Sequence, residues 1–302
     1  FKISQEIQNN TSQMIELYPY AQITRNKIPD DIQNFYISHE GFIGVFDDEL
    51  KEDDYDDIKE KKIVRESSDG WLGITDKYWM VALIPSQTDQ VRAGYSLNKG
   101  TLGQRQYVSS QYVYDTPVTI RPTQTVEVST LVFAGAKEVD LLDAYAKEFS
   151  IPKFDRGVNF WFIYPLTKPL FLALAKVTDW LRPSMGAYAF GAAIIVLTLI
   201  VKTILFPLQL RAYRSMAKMR TLQPKMKELQ EKHADDRQAL SQAMMTLYKE
   251  EGVNPLGGCL PMLLQFPVFI SLYRVMLVTL EARHAPFPGW VQDLSAKGRT
   301  GL

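Results

Sequence analysis

Between about Tyr78 and Gly135 the chain is a series of short β-branched or aromatic runs, YWMVALIPS, VRAGYSL, QYVSSQYVYD and TVEVSTLVFAG, separated by Gly, Pro, Asn and Asp. Short runs of this kind, punctuated by turn formers, predict an all-β region. From Lys137 to Phe149 the spacing changes: Val139, Leu141, Leu142, Tyr145 and Ala146 recur at helical intervals and predict a short helix. That helix closes a first domain at residues 1–150. Within it, the acidic stretch Asp47–Asp57, in FDDELKEDDYDD, carries almost no apolar side chain and reads as a solvated loop. Its acid spacing does not fit an EF-hand.

The pattern then becomes that of a membrane protein. Residues 158–181 are heavy in Phe, Trp, Tyr and Leu and are broken near the start by Pro165 and Pro169. At about 100° per residue, Lys168, Lys176 and Asp179 share one side and leave a wide apolar face with Phe171, Leu174 and Val177. Such a helix suits the membrane interface, with Trp161, Phe162, Tyr164 and Trp180 at the headgroups. Packing on the β domain is the alternative, and residues 151–186 are assigned to this helix and its linker. Residues 187–206 contain one charge, Lys202, and are long enough to cross a hydrocarbon core of about 30 Å. Residues 256–280 form a second span in which Pro261 and Pro267 free carbonyls that only protein or water can satisfy.

Residues 207–255, between the spans, read as a helical hairpin. Met219, Leu222, Met226 and Leu229 form a stripe in one arm, and Leu240, Ala243, Met244 and Leu247 form one in the other. His233–Asp236 supplies the turn, Asp235 or Asp236 the cap, and Gly252 with Asn254-Pro255 the stop. The Met-rich seam suits packing and also suits an adaptable partner surface. Arg211, Arg214, Lys218, Arg220, Lys225 and Lys227 all precede the first acid, Glu228. This excess of cations beyond a span places the hairpin in the cytosol, residues 1–186 outside, and residues 281–302 outside again.

Charge supports the same division. Residues 1–150 carry 15 basic and 24 acidic side chains, leaving 19 and 10 for the remainder, so a net of −9 joins a net of +9. The chain has a single cysteine, Cys259, which excludes an intrachain disulfide. It begins at Phe1 without a signal pattern, so the native amino terminus is expected to lie upstream. Catalytic signatures are missing: there is no GxSxG, no phosphate-cradling glycine loop and no metal-spaced Cys/His set. The histidines, His39, His233 and His284, are scattered. No enzyme, cofactor or metal is expected.

Lys202 is the most informative residue. A lysine near a span centre costs about 2.5 to 3.5 kcal/mol on insertion scales, and less toward the end. It can snorkel to the cytosolic headgroups, or it can stand as a fixed charge in a wet, protein-lined groove. Thr198 lies one turn earlier on the same face, and Gln265 adds a polar group to the second span. Together these residues could line one cavity. Arg274 is expected to snorkel toward the outer interface.

The run LTLIVKTILFPLQLRAYRSMAKMRTLQPKMKELQEK, followed by SQAMMTLYKEEGVNPLGGCLPMLLQFPVFISLY, resembles the YidC/Oxa/Alb family of membrane protein insertases. FDRGVNFWF and APFPGWVQDLS extend the match, and GWLGITDKYWMVALIP continues it more loosely into the β region. The resemblance implies a bacterial inner-membrane protein with a periplasmic β-supersandwich, an interfacial helix, five core spans around a hydrophilic groove, and a cytosolic hairpin. It implies an insertase and chaperone working on nascent membrane proteins, alone or with the Sec translocon, in contact with lipid and with ribosomes or targeting factors, without nucleotide hydrolysis. Residue by residue, Lys202 matches the groove cation, Thr198 a groove-lining residue, Phe269 a substrate-contacting aromatic, and Asp235 a hairpin position. Gram-negative members usually carry Arg where this chain has Lys202, so a point charge replaces the planar fork. An anchoring span before Phe1 and three core spans after Leu302 are expected beyond this sequence. The competing reading makes the β domain a sugar or peptide receptor and the spans its anchor.

Overall fold

The computed structural model describes residues 1–29, 39–99, 106–160, 163–232, 236–252, 260–287 and 293–294. The chain divides into two compact units, one of Phe1–Trp161 with Leu277–Leu280 and one of Phe162–Met276 with Glu281–Leu302.

The first unit is an antiparallel β-sandwich. Its strands are β1 (Lys2–Gln8), β2 (Ile15–Leu17), β3 (Tyr20–Arg25), β4 (Gly41–Phe46), β5 (Glu49–Asp53), β6 (Ile63–Ser67), β7 (Gly70–Thr75), β8 (Trp79–Ile84), β9 (Val91–Lys99), β10 (Gln106–Tyr114), β11 (Val118–Ile120) and β12 (Thr125–Ala136). A six-stranded sheet runs β1-β12-β8-β7-β4-β5, a four-stranded sheet runs β3-β10-β9-β6, and β11 pairs with β2. Phe42, Phe46, Leu72, Ile74 and Leu83 of the larger sheet meet Val91, Ala93, Tyr95, Val108, Tyr112 and Tyr114 of the smaller in one core. Phe42 stacks on Tyr95 with ring centroids 4.5 Å apart. Each side chain fully buried in this way contributes about 1.5–3 kcal/mol. Gly44 is required there, because a Cβ would stand 2.8 Å from the Tyr95 hydroxyl and 2.8 Å from the Trp71 carbonyl oxygen. Helices α1 (Asp57–Glu60) and α2 (Val139–Glu148) complete the unit, α2 within the range predicted for it.

The acidic stretch is not a solvated loop. Asp47 and Asp48, at φ 48° and 62°, form the tip of the β4–β5 hairpin. Aspartate tolerates that left-handed backbone and so favours a two-residue hairpin turn. The Asp47 carboxylate accepts from the Ser68 N–H at 3.1 Å, and Lys153 pairs with Asp48 at 2.8 Å. β5 then forms the edge of the large sheet, where charged side chains discourage pairing with another chain.

The second unit is helical. α3 spans Tyr164–Met185, α4 Ala189–Lys232, α5 Arg237–Glu250 and α6 Leu260–Val278. α3 buries the stripe Thr167, Phe171, Leu174 and Thr178 and packs along α4. Thr167 and Thr178 donate to the carbonyls of Ile163 and Leu174, so their hydroxyls are satisfied when buried. The deepest part of the expected lipid-facing side is therefore taken up by protein packing, while Lys176, Asp179 and Trp180 remain exposed. Gly186, at φ +54°, ends α3 in a conformation that a side chain would strain. The chain can then turn directly into α4.

α4 is a single helix of 44 residues containing Pro207 and Pro224. The expected boundary between span and hairpin at Phe206 is thus no break in the backbone. At about 1.5 Å per residue α4 is roughly 65 Å long, about twice the hydrocarbon thickness. Tyr164–Lys232 contains a window long and apolar enough to cross a membrane, and Gln265–Val278 is a shorter apolar helix. The predicted second span coincides with α6 over Leu260–Val278; residues 256–259, including Cys259, lie outside the described residues.

Candidate functional site

Thr198, Lys202 and Gln209 fall within about 40° of one another on α4, taking about 100° per residue. Lys202 is exposed, and among the described residues it has no hydrogen-bond or ion-pair partner. Thr198 is half-buried, and its hydroxyl donates to the Ile194 carbonyl at 2.7 Å. It therefore presents lone pairs and no proton to its surroundings. Gln209 Nε2 reaches Gln265 Oε1 on α6 at 3.5 Å. The polar face of α4 thus meets the second apolar helix through Gln209, a residue that the sequence reading passed over. Its only sequence signal is its position seven residues after Lys202, on the same face.

Gln265 and Phe269 share a face of α6, one turn apart. Phe269 is 64% exposed and belongs to an exposed stripe with Met262, Phe266, Tyr273 and Met276, all within about 80°. Arg274, expected to snorkel, is instead 3% exposed.

In the hairpin, Leu222 is buried, and Met219, Met226, Leu229, Leu240, Ala243, Met244 and Leu247 are half-buried, so the two stripes mark the inner seam. Asp236 caps α5, accepting from the N–H groups of Gln238 and Ala239 at 2.9 and 3.0 Å. Such a cap contributes about 1 kcal/mol. Of the expected turn at His233–Asp236, residues 233–235, Asp235 among them, lie outside the described residues. Lys225 bonds across the seam to Glu251 at 2.6 Å, and this hydrogen bond holds its ammonium above the ordinary lysine range. The Tyr248 hydroxyl points to Met226 Sδ at 3.8 Å. Arg214, Lys218 and Arg220 remain exposed, without an ion pair among the described residues. Lys225 is thus committed to the fold, whereas Arg214, Lys218 and Arg220 are available.

One face of α4 therefore presents a cation and hydroxyl lone pairs, and Gln209 on that face meets Gln265 of α6, the helix that carries the exposed aromatic stripe. That donor set can attract carboxylates and hydrogen-bond peptide groups.

Comparison with known proteins agrees with this architecture. The family model described as YidC periplasmic domain matches residues 1–173. The model described as 60Kd inner membrane protein matches residues 180–300. A membrane protein insertase YidC from Agrobacterium fabrum is 45% identical, over 99% of this chain and 49% of that protein. Another from Pelagibacter ubique is 40% identical, over 100% of this chain and 52% of its own length. A third, from Jannaschia sp., is 43% identical over 100% and 51%. The chain spans about half the length of these relatives. With its sandwich matched over most of the first unit and its helices matched beyond it, the chain belongs to the YidC family of inner-membrane proteins.

Proposed function

We propose that the protein inserts and helps to fold integral membrane proteins, giving the polar part of an incoming chain a route past Lys202 while its apolar segment passes into lipid. The observation that carries this reading is Lys202 itself, exposed and without a counter-ion among the described residues, on the face of α4 that also carries Thr198 and Gln209. A cation so placed attracts acidic residues in a translocated tail. Polar neighbours lower the cost of bringing peptide groups to membrane depth. Release of the apolar segment supplies the driving force, about 25 cal/mol for each Å² removed from water. The relatives' description as membrane protein insertases supports the same reading. No bond is made or broken in this scheme, so no catalytic residue is assigned.

With residues 1–186 in the periplasm, one crossing by α4 puts the hairpin in the cytosol. There it would meet ribosomes or targeting factors, and the Sec translocon would be a partner within the membrane. The deciding experiment uses the full-length protein and a small substrate with an acidic tail. Lys202→Glu should lower its insertion yield, and changing the tail acids to Lys should restore it, whereas Lys202→Arg should insert normally. A loss in Lys202→Glu that ignores tail charge would refute the electrostatic mechanism.

A further inference from the structure

α4 and α6 repeat one local pattern in opposite order: Pro207 stands two residues before Gln209, and Pro267 two residues after Gln265. A proline within a helix has no N–H, so the carbonyl four residues back loses its helical partner, that of Thr203 on α4 and of Leu263 on α6. The Thr203 hydroxyl does not fill the gap, since it donates to the Leu199 carbonyl at 2.8 Å. Both helices are therefore short of internal hydrogen bonds near the place where Gln209 and Gln265 meet at 3.5 Å.

An amide contact of that length is weak, and polar pairs between membrane helices exchange partners readily. A carboxamide also carries the same donor and acceptor types as a peptide group. An extended polypeptide at membrane depth needs such partners, because lipid offers none. Lys202 lies seven residues from Gln209, about two turns or roughly 10 Å along the same face of α4. A tail drawn to the cation would therefore reach the amide pair.

We propose that Gln209 and Gln265 form an exchangeable amide clasp between α4 and α6, closed at rest and opened by the backbone of a polypeptide in transit. The proposal rests on the insertase reading and extends it: Lys202 responds to the charge of the tail, and the clasp responds to its peptide groups whatever their side chains. Gln209 is on this account a positioning residue for the separation of α4 from α6.

The test uses the full-length protein with Cys259→Ser, Gln209→Cys and Gln265→Cys, and a short bismaleimide. Cross-linking should be efficient at rest and should fall at least about fivefold when a ribosome-stalled substrate tail occupies the site, a modest coupling between two ligands of one equilibrium. The cross-linked protein, still folded by thermal unfolding, should insert about fivefold less than the same variant capped with a monofunctional maleimide, which is the baseline and is itself slower than the parent because both carboxamides are gone. Gln209→Leu, with the natural cysteine retained, should slow insertion of acidic and basic tails alike, unlike Lys202→Glu. Absence of the cross-link at rest, a yield indifferent to the stalled tail, or insertion by the locked protein equal to that of the capped one would each overturn the clasp. Failure of the parent protein to insert the substrate at all would instead remove the insertase reading, and the clasp with it.

Discussion

Asp53→Asn separates two accounts of the acidic stretch. In a solvated loop the change would be nearly silent. In the structure the Asp53 carboxylate receives both arms of the Arg65 guanidinium, at 2.7 and 2.8 Å. The Asp53 side chain is 12% exposed and that of Arg65 24%. The guanidinium also lies over the rings of Phe46 and Tyr95, at 5.4 and 5.9 Å, so the pair joins the edge strand to the aromatic core. Neutralising Asp53 leaves the Arg65 charge largely dehydrated and facing one neutral oxygen. Breaking a fully buried pair costs about 3–5 kcal/mol; the residual exposure and the oxygen that Asn retains bring the expected loss here to about 2 kcal/mol. For a unit of this size that lowers Tm by about 4–8 °C. Trp71 supplies the assay: it is 1% exposed with Nε1 donating to the Pro152 carbonyl at 3.1 Å, so its fluorescence should follow urea or thermal unfolding of the sandwich. Asp56→Asn, at an exposed carboxylate paired with Lys59, is the control and should change stability by less than about 0.5 kcal/mol. If Asp53→Asn matched that control, the pair would contribute nothing and the account of the edge strand would be wrong. Insertion should survive Asp53→Asn at temperatures where the sandwich stays folded, because α4 and α6 carry the proposed route.

Alkaline pH should unfold the sandwich earlier than neutral pH. Burial raises the phenols of Tyr55, Tyr95 and Tyr112 above the ordinary tyrosine range. With folded values raised, their stabilising effect is complete below the unfolded value of about 10 and is lost as pH climbs through it, at up to about 1.4 kcal/mol per pH unit for each. Urea midpoints that stayed level from pH 8 to 11 would contradict this. Tyr95→Phe should flatten part of the slope and should cost little at pH 8, because the Tyr95 hydroxyl is buried without a hydrogen-bond partner among the described residues. On the hairpin, reversing Arg214, Lys218 and Arg220 to Glu should weaken salt-sensitive co-sedimentation of the full-length protein with ribosomes, and adding Lys225→Glu should also loosen the hairpin by removing its bond to Glu251. Binding that did not change across a salt series would refute the recruiting role.

What the sequence revealed follows from how sharply each residue's burden appears in its neighbours. Strands β8, β9, β10 and β12 were legible because apolar and polar positions punctuated by turn formers fit one buried and one wet face. β4 and β7, as GFIGVF and GWLGIT, are buried throughout, so they lack alternation and carry glycines where another backbone comes close. β5 was hidden for the opposite reason, since an edge strand can be nearly all charge, and its one inward pairing depends on Arg65, twelve residues away. The hairpin stripes and the cap at Asp236 were readable from spacing, because both are local. The continuity of α4 through Pro207 was not, since a proline after an apolar run usually signals an end. Lys202 was conspicuous as one charge in a span, whereas Gln209 sat beyond the apparent boundary and acquired meaning only through its contact with Gln265.

That continuity also bears on how the polar face works. Thr198, Lys202 and Gln209 lie on one helix that runs unbroken to the hairpin seam, where Leu222, the Lys225–Glu251 pair and the Tyr248–Met226 contact fix its far end. Their spacing along α4 is set by helix geometry, about 6 Å from Thr198 to Lys202 and about 10 Å from Lys202 to Gln209. On the proposed route a tail arriving from the cytosol would meet a carboxamide, a cation and a hydroxyl acceptor in that order along one helix. Of the three, only the cation acts at long range, and salt or tail charge can tune it. The hydroxyl and the carboxamide act at hydrogen-bond distance and cannot distinguish one tail sequence from another by charge. Capture would then depend on substrate charge and passage on peptide groups common to every substrate. A single site could in this way accept many proteins while still favouring those whose tails begin with an acid.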